Sequence, residues 1–190
     1  MPISINGSGT VTGISVGGLP DGIVDTDMIA ATAVTAAKRG TGAILQVVNA
    51  IKTDTASSTA SFADTGLSAS ITLISSSSKI LVLAMIGGIG ADNSSLKAKL
   101  MRGSTDIAVG DAAGSRARAT VQSQTSNSYN AQSLHMSALD TPGTGTHTYK
   151  VQFGGNGGQE VFINRIPRDS NGAAEDARTA STLTLLEVAG

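Results

Sequence analysis

The sequence contains neither cysteine nor tryptophan, and these two absences already limit what the protein can be. Without cysteine it has no disulfide, no thiolate metal site and no cysteine nucleophile. Aromatic residues make up only 3% of the chain, so the large side chains that usually anchor a hydrophobic core are scarce. Aliphatic and threonine-rich strands must supply most of the buried surface, and burial between subunits is one way to complete it.

Charged residues are also few, at 14% of 190 residues, and the formal net charge is -1. Ordinary soluble domains contain about 25% charged residues. The low charge density argues against a disordered chain, and the balanced charge argues against nucleic-acid binding. No apolar run is long enough to cross a bilayer, and residues 1–4 lack the features of a signal peptide. We therefore expect a chain made in the cytoplasm that does not insert into membranes.

Ala, Gly, Ser and Thr together supply about half of the residues, and the sequence changes in character near Gly40. Before Gly40, turn signals recur at short intervals between isolated β-branched residues, a pattern that cannot form a core of its own. We predict an anchoring or trimerisation arm over 1–40 and a head domain over 41–190. Residues 28–38 have capping residues at both ends and one apolar stripe, which predicts a short helix within the arm.

From Gly42 onward the pattern predicts short strands with turn signals between them. The predicted strands are 43–53, 70–74, 79–86, 96–102, 106–110, 117–122, 132–139, 148–153, 160–165 and 181–189. The apolar run 80–86 predicts a strand covered on both faces, and 154–158 predicts a hairpin turn between its flanking strands. With no helical pattern of useful length in the head, the sequence indicates an all-β, antiparallel, jelly-roll-like sandwich.

No pattern in the sequence makes a compelling catalytic or metal site. The string 80–93 runs from an apolar strand into Gly88 and Gly90, as a dinucleotide-binding loop does, but Asn93 occupies the third glycine position and no βαβ pattern surrounds it. We interpret these glycines as the exit of a strand. His135 and His147 are isolated, and the acidic residues lack the spacing of a calcium loop. We expect no enzyme, no cofactor and no metal, with a structural cation left open.

Glycine-rich segments of the arm and several strand segments of the head carry a resemblance to a known family. They are 7–14, 17–25, 28–30, 33–38, 78–82, 100–105, 109–116 and 179–184. These segments resemble tail-fibre and other structural proteins of tailed-phage virions, especially of phages of cyanobacteria and other aquatic bacteria. The resemblance implies a homotrimeric virion component and supplies no catalytic residues.

The resemblance also implies partners. It predicts a homotrimer that attaches through its arm to other phage tail, baseplate or capsid proteins and contributes to adsorption on the host, through a surface glycan or protein. Tail fibres are often much longer than this chain, so a capsid cement or decoration protein, whose arm clamps coat subunits, stays open as the alternative. In both cases the protein is located in the virion.

Two groups of residues are candidates for contacts with these partners. The first consists of apolar arm residues and two arginines of a small-residue loop: Ile14, Leu19, Met28, Ile29, Val34, Arg116 and Arg118. The second consists of polar loop residues and one aromatic residue that could face a receptor: Asn127, Tyr129, Asn130 and Asn156. A solvated loop is the plain alternative for the arginines, and a partly buried turn residue is the plain alternative for Tyr129.

Overall fold

The computed structural model describes residues 4–5, 11–12, 29–30, 33–35, 38–172 and 174–190. The chain divides into two compact units, Met1–Arg39 and Gly40–Gly190. In the first unit, strand β1 (Ser4–Ile5) pairs antiparallel with β2 (Val11–Thr12). Of the helix predicted over 28–38, the structure describes residues 29–30, 33–35 and 38, none of which is α-helical, and the other positions lie outside the described residues, so the helix is not confirmed.

The second unit contains two antiparallel sheets. The six-stranded sheet consists of β3 (Ile44–Lys52), β4 (Ala56–Ser58), β6 (Lys79–Ala91), β10 (Gln132–Asp140), β12 (Val161–Ile163) and β13 (Ser181–Val188). The five-stranded sheet consists of β5 (Ala63–Thr72), β7 (Ser94–Arg102), β8 (Thr105–Ile107), β9 (Val121–Thr125) and β11 (Thr146–Gly154). Within the described part of the chain there is no α-helix. The prediction of an all-β, antiparallel head is confirmed.

Strand β6 lies at the centre of the six-stranded sheet. Its first half pairs with β13 on one side and with β10 on the other, and β3 follows β13. Its last residues pair with β12, which is followed by β4. In the five-stranded sheet the order is β5, β11 and β7, and β7 pairs further with β8 and β9. Most neighbours in both sheets are therefore distant in sequence.

Alternation of side chains makes the strands one-sided. In β13, every second residue from Ser181 to Glu187 is buried and the residues between them are not. The inward side chains of both sheets join in a single hydrophobic cluster. Its largest fully buried members are Leu67, Ile71, Ile80, Ile86, Ile89, Leu96, Leu100, Tyr149, Phe153, Ile163, Leu183 and Leu185. Aliphatic residues thus supply most of the core, as the scarcity of aromatic residues predicts.

A hydrogen-bonded group at one end of the core links the two sheets. The hydroxyl of Tyr149, in β11, donates to Asp140 Oδ2 in β10 over 2.7 Å. Arg102, in β7, donates to the same oxygen over 2.5 Å. Burial and the neighbouring carboxylate raise the pKa of Tyr149, so the phenol remains a neutral donor. The group thereby fixes the end of β10 to the five-stranded sheet.

Asn164, immediately after β12, is fully buried and joins four segments of the chain. Its side-chain amide donates to the backbone carbonyls of Lys52 and Asp54 over 2.9 and 2.8 Å. Its side-chain oxygen accepts a 2.6 Å hydrogen bond from the hydroxyl of Ser181, and its backbone N–H donates to Gly88. Its φ angle of 60° lies in the left-handed region, which asparagine tolerates better than most residues.

Glu187 is buried near the opposite end of β13. Its carboxylate accepts hydrogen bonds from the side chain of Gln46 over 2.5 Å and from the backbone amides of Ile74 and Ser75 over 2.9 and 3.2 Å. Burial alone would raise the pKa of Glu187, but these hydrogen bonds together hold the pKa below its usual value. The carboxylate ties the turn that follows β5 to strand β13.

The predicted hairpin around 154–158 is wrong. Strand β11, before this segment, pairs with β5 and β7, whereas β12, after it, pairs with β4 and β6. The segment therefore carries the chain from one sheet to the other. Alternating residues predict strands but not their partners, and both flanking strands bury side chains, Phe153 and Val161, in the same core.

The prediction that the run 80–86 is covered on both faces is also wrong for a single chain. Ile80, Val82, Ala84 and Ile86 are buried, but Leu83, between them, is 42% exposed. Strand β6 alternates in burial although its sequence there is apolar throughout.

The short strand β4 was not predicted, and the largest differences in strand boundaries are in three places. Strand β5 begins at 63 rather than 70, and β9 begins at 121 rather than 117. Strand β6 also continues through the glycines to Ala91, so they are not its exit.

The glycine-rich half of β6 is explained by close packing. A Cβ atom on Gly87 would overlap the backbone carbonyl oxygen of Ala180, in the segment that leads into β13. The glycine therefore allows the backbone of that segment to lie directly against the strand. This packing, rather than a phosphate-binding loop, accounts for the glycine at this position.

We expect Gly87→Ala to lower the free energy of unfolding by about 2–3 kcal/mol, because a backbone carbonyl cannot move aside as a side-chain end can. Urea denaturation measures the change. Gly110→Ala is the matched control, since a Cβ there would have its nearest neighbour at 4.0 Å. Equal stability of the two variants would contradict the close approach at Gly87.

We expect Glu187→Gln to destabilise the protein by about 2 kcal/mol at neutral pH, because hydrogen bonds to a charged acceptor are lost. The folded-state pKa lies below the usual value of 4.5, so the stabilisation is full above that value and is lost as the pH falls through the folded-state pKa. Urea denaturation from pH 7 to pH 3 should show the difference between wild type and variant shrinking. The exposed Glu160→Gln is the control, and a difference independent of pH would refute this role for the carboxylate.

Candidate interaction surfaces

The six-stranded sheet has a face turned away from the core that carries both apolar and short polar side chains. The registers of β3, β13, β6 and β10 align the outward side chains in three rows. The rows are Val47, Leu186, Leu81 and Leu139; Asn49, Thr184, Leu83 and Ser137; and Ile51, Thr182, Met85 and His135. We call these three rows the outer face.

Large apolar side chains are exposed on the outer face. Val47, Leu139 and Ile51 are 57%, 58% and 63% exposed, and Leu83 lies in the middle row. The three rows contain no Asp, Glu, Lys or Arg. Contiguous exposed apolar surface of this kind is typical of contact sites on proteins. The serine and threonine residues between the apolar ones are short enough to let another surface approach closely.

The loops that lead into β10 and β13 form a second candidate surface. The backbone N–H of Gly42 donates to Ala189, just after the end of β13, so the second unit starts and finishes at one end. The loop 164–180 leads into the other end of β13, about 25 Å away at the usual rise per residue. The loop 126–131 lies beside the loop 164–180, because the backbone N–H of Arg168 donates to the backbone carbonyl of Ser128 over 3.1 Å. We call these two loops the distal loops.

Arg168 organises the distal loops. Its guanidinium donates to Asp176 Oδ2 and to Glu175 Oε1, each over 2.9 Å, and lies 4.6 Å from the ring centre of Tyr129. The side chain of Asp176 is only 1% exposed and also accepts a 2.6 Å hydrogen bond from the backbone N–H of Ser170. The hydrogen bond from Arg168 lowers the pKa of Asp176, which keeps the carboxylate charged. Charge and aromatic contact thus hold both loops in one arrangement.

Three of the four predicted receptor-facing residues lie in the distal loops. Tyr129 is 59% exposed, and its backbone N–H donates to the side-chain oxygen of Asn127 over 3.0 Å. Asn130 closes the same turn through a 3.4 Å hydrogen bond to the backbone of Asn127. Asn156 is exposed in a separate turn between β11 and β12, which Gln159 closes.

The predicted partner-binding residues are distributed over the arm and one loop. Of the arm candidates, Ile29 and Val34 are exposed, and three lie outside the described residues: Ile14, Leu19 and Met28. Arg116 and Arg118 are exposed in the loop between β8 and β9, where each donates to a backbone carbonyl of its own loop. The structure does not bring these arginines onto the outer face.

Sequence reasoning missed the outer face and the role of Asp176. A signal for the outer face was present in the sequence. The run 80–86 is apolar at every position, including those that face away from the core, whereas apolar and polar residues alternate in most of the neighbouring strand β13. The role of Asp176 has no local signal, since it depends on the pairing of a carboxylate with Arg168, eight residues earlier.

The described residues contain no cluster of three or more metal-ligating side chains. Among the same residues, no helix is long and apolar enough to span a membrane. No protein-family model and no curated protein matches this sequence. The functional argument therefore depends on the outer face and the distal loops themselves.

We expect Asp176→Asn to loosen the distal loops, because the neutral amide binds Arg168 and the backbone of Ser170 more weakly. Hydrogen exchange should show the amide of Ser170 exchanging about tenfold faster. Glu175→Gln is the control, since it removes a carboxylate that is largely exposed and leaves Asp176 in place. Equal exchange rates in the two variants would show that Asp176 does not order the loop.

Proposed function

We propose that this protein is a structural subunit of a tailed-phage virion, of tail-fibre type. It works as a homotrimer that attaches by its arm, residues 1–40, and contributes to adsorption on the host surface through its distal loops. The observation that carries this proposal is the outer face, on which four of the exposed large apolar side chains of the chain lie together: Val47, Ile51, Leu83 and Leu139. The resemblance of the sequence to virion proteins supplies the biological setting.

Copies of this chain are the partner that fits the outer face best. Because its three rows contain no Asp, Glu, Lys or Arg, the outer faces of three copies can meet around a threefold axis without charge repulsion or the desolvation of an unpaired charge. An interface of this composition resembles the core of an obligate oligomer rather than a transient contact. Burial between subunits also compensates for the small number of large aromatic side chains.

The strand order supports a jelly-roll sandwich for each subunit. Eight strands of the second unit have five or more residues. Numbered in chain order, the first, eighth, third and sixth are neighbours in one sheet, namely β3, β13, β6 and β10. The second, seventh, fourth and fifth are neighbours in the other, namely β5, β11, β7 and β9. This alternation between sheets is the order found in jelly rolls, which are common in viral structural proteins.

The position of the distal loops suits adsorption. They lie at the end of β13 away from Gly42, where the chain passes from the first unit into the second. Three copies side by side would present three sets of distal loops, so that weak contacts with a host surface add through avidity.

We expect Leu83→Lys to convert the trimer to a folded monomer at micromolar concentration. An unpaired ammonium group buried in the interface opposes association by several kcal/mol, whereas on a monomer it is solvated. Sedimentation equilibrium measures the mass, and circular dichroism checks the fold. Gln122→Lys, an exposed change on β9 in the other sheet, is the control and should remain trimeric. A wild-type monomer at micromolar concentration would overturn the homotrimer.

The location in the particle is tested separately with gold-labelled antibody on intact virions that carry the gene for this chain. Label at the tail supports the tail-fibre proposal. Label spread over the head replaces it with the alternative of a capsid cement or decoration protein, and particles without label refute a virion role.

A further inference from the structure

A groove runs between the distal loops and the glycine-rich half of β6. Its volume is about 270 Å³, and its lining includes Gly88, Tyr129, Ala131, Arg165, Glu175 and Thr179. Sites for small molecules commonly have volumes of about 300–1,000 Å³, so this groove suits a single ring rather than a long chain.

The floor of the groove depends on Gly88. A Cβ atom there would lie 2.9 Å from the hydroxyl oxygen of Thr179 and 3.6 Å from the methyl group of Ala131. Any side chain at this position would therefore fill the space between the two loops. The groove is a consequence of the same close packing that places glycine elsewhere in β6.

Tyr129 places a largely exposed aromatic ring at the groove. The guanidinium of Arg168 lies over the ring, 4.6 Å from its centre, but Arg168 does not line the groove. The ring of Tyr129 is therefore in contact with Arg168 and also borders the groove. Because the backbone of Tyr129 is fixed by Asn127 and its ring by Arg168, little conformational freedom is lost when a ligand packs against the ring.

The charged groups of the groove are already compensated. Arg165 pairs with Asp169 over 3.2 Å, and Glu175 pairs with Arg168 over 2.9 Å. A ligand with a full charge of either sign would meet an opposite charge that already has a partner. A neutral ligand with several hydroxyl groups, by contrast, can donate to the carboxylate and accept from the guanidinium without a change in net charge.

Thr179 adds a hydrogen-bonding group without a partner. Its hydroxyl oxygen is buried, and no described residue forms a hydrogen bond with it. A buried hydroxyl left unpaired is unfavourable by about 1–3 kcal/mol. By rotation of its side chain, Thr179 can form a hydrogen bond with a ligand hydroxyl in the groove.

We propose that this groove binds one neutral sugar ring, with the C–H face of the ring against Tyr129 and its hydroxyl groups toward Glu175, Arg165 and Thr179. An aromatic ring beside a few fixed polar groups matches a molecule that has one apolar face and a polar rim. The inference names the ligand class for the distal loops and in that respect rests on the proposed function.

The test is saturation-transfer NMR and calorimetric titration of the full-length protein with galactose, glucose, mannose and N-acetylglucosamine. We expect at least one of them to bind in the millimolar range and glucuronic acid to bind more weakly. Tyr129→Ala should raise Kd about tenfold, as expected for the loss of one ring contact. Tyr129→Phe, which keeps the ring, should raise it less, and Thr179→Val should weaken binding without a change in the fold.

Gln124→Ala, an exposed change on β9, is the control for binding and should leave Kd unchanged. Failure of all four neutral sugars, or equal binding by Tyr129→Ala and wild type, overturns the sugar site. This outcome is separate from the proposed function. If Tyr129→Ala abolishes virion adsorption although the wild type binds none of the sugars, the adsorption role is retained and the sugar site is rejected. If the chain binds a sugar but is found on no virion, the sugar site is retained and the virion role is rejected.

Discussion

The buried side chain of Asn164 is the interaction on which the distal half of the structure depends. Its amide and carbonyl bond to the end of β3 and the start of β13, and its backbone N–H bonds to the middle of β6. A buried amide must satisfy all of these groups at once, because each one left unpaired destabilises the fold. The end of β3 and the start of β13 are therefore held in a fixed position relative to β6.

That fixed position makes the close packing around β6 possible. The segment from Ala177 to Ala180 lies against the glycines of the strand because Asn164 also accepts a hydrogen bond from the backbone N–H of Thr179. Arg168 and Asp176 then order the part of the loop that has no strand beside it. A chain with few large side chains thus obtains a shaped loop surface from backbone contact and ion pairing rather than from aromatic packing.

The outer face and the distal loops show two different uses of small residues. On the outer face, serine and threonine lie between exposed aliphatic side chains, and the three rows contain no Asp, Glu, Lys or Arg. Beside the distal loops, glycine residues of β6 let Asn130, Pro167 and Thr179 lie close against the strand. The first arrangement suits contact with other copies of the same chain, and the second suits recognition of a small polar molecule.

The sequence predicted the class of fold because alternation of apolar and small polar residues is local, as in β13 and β10. It did not predict that β11 and β12 belong to different sheets, because pairing partners depend on the whole core. The exposure of Leu83 was missed for a related reason, since an apolar run does not reveal which of its faces a second sheet covers. Tyr129 was found as an aromatic residue among polar ones, whereas Thr179 has no such local signal.

The two tyrosines of the chain lie in opposite environments, and no tryptophan masks their emission. Tyr149 is fully buried and donates to the carboxylate of Asp140, an arrangement that quenches phenol fluorescence. Tyr129 is largely exposed and has no carboxylate as its hydrogen-bond acceptor among the described contacts. The ultraviolet emission of the intact protein is therefore dominated by one ring, and that ring lies at the groove. Tyrosine fluorescence of the intact protein therefore reports on molecules that bind at the distal loops.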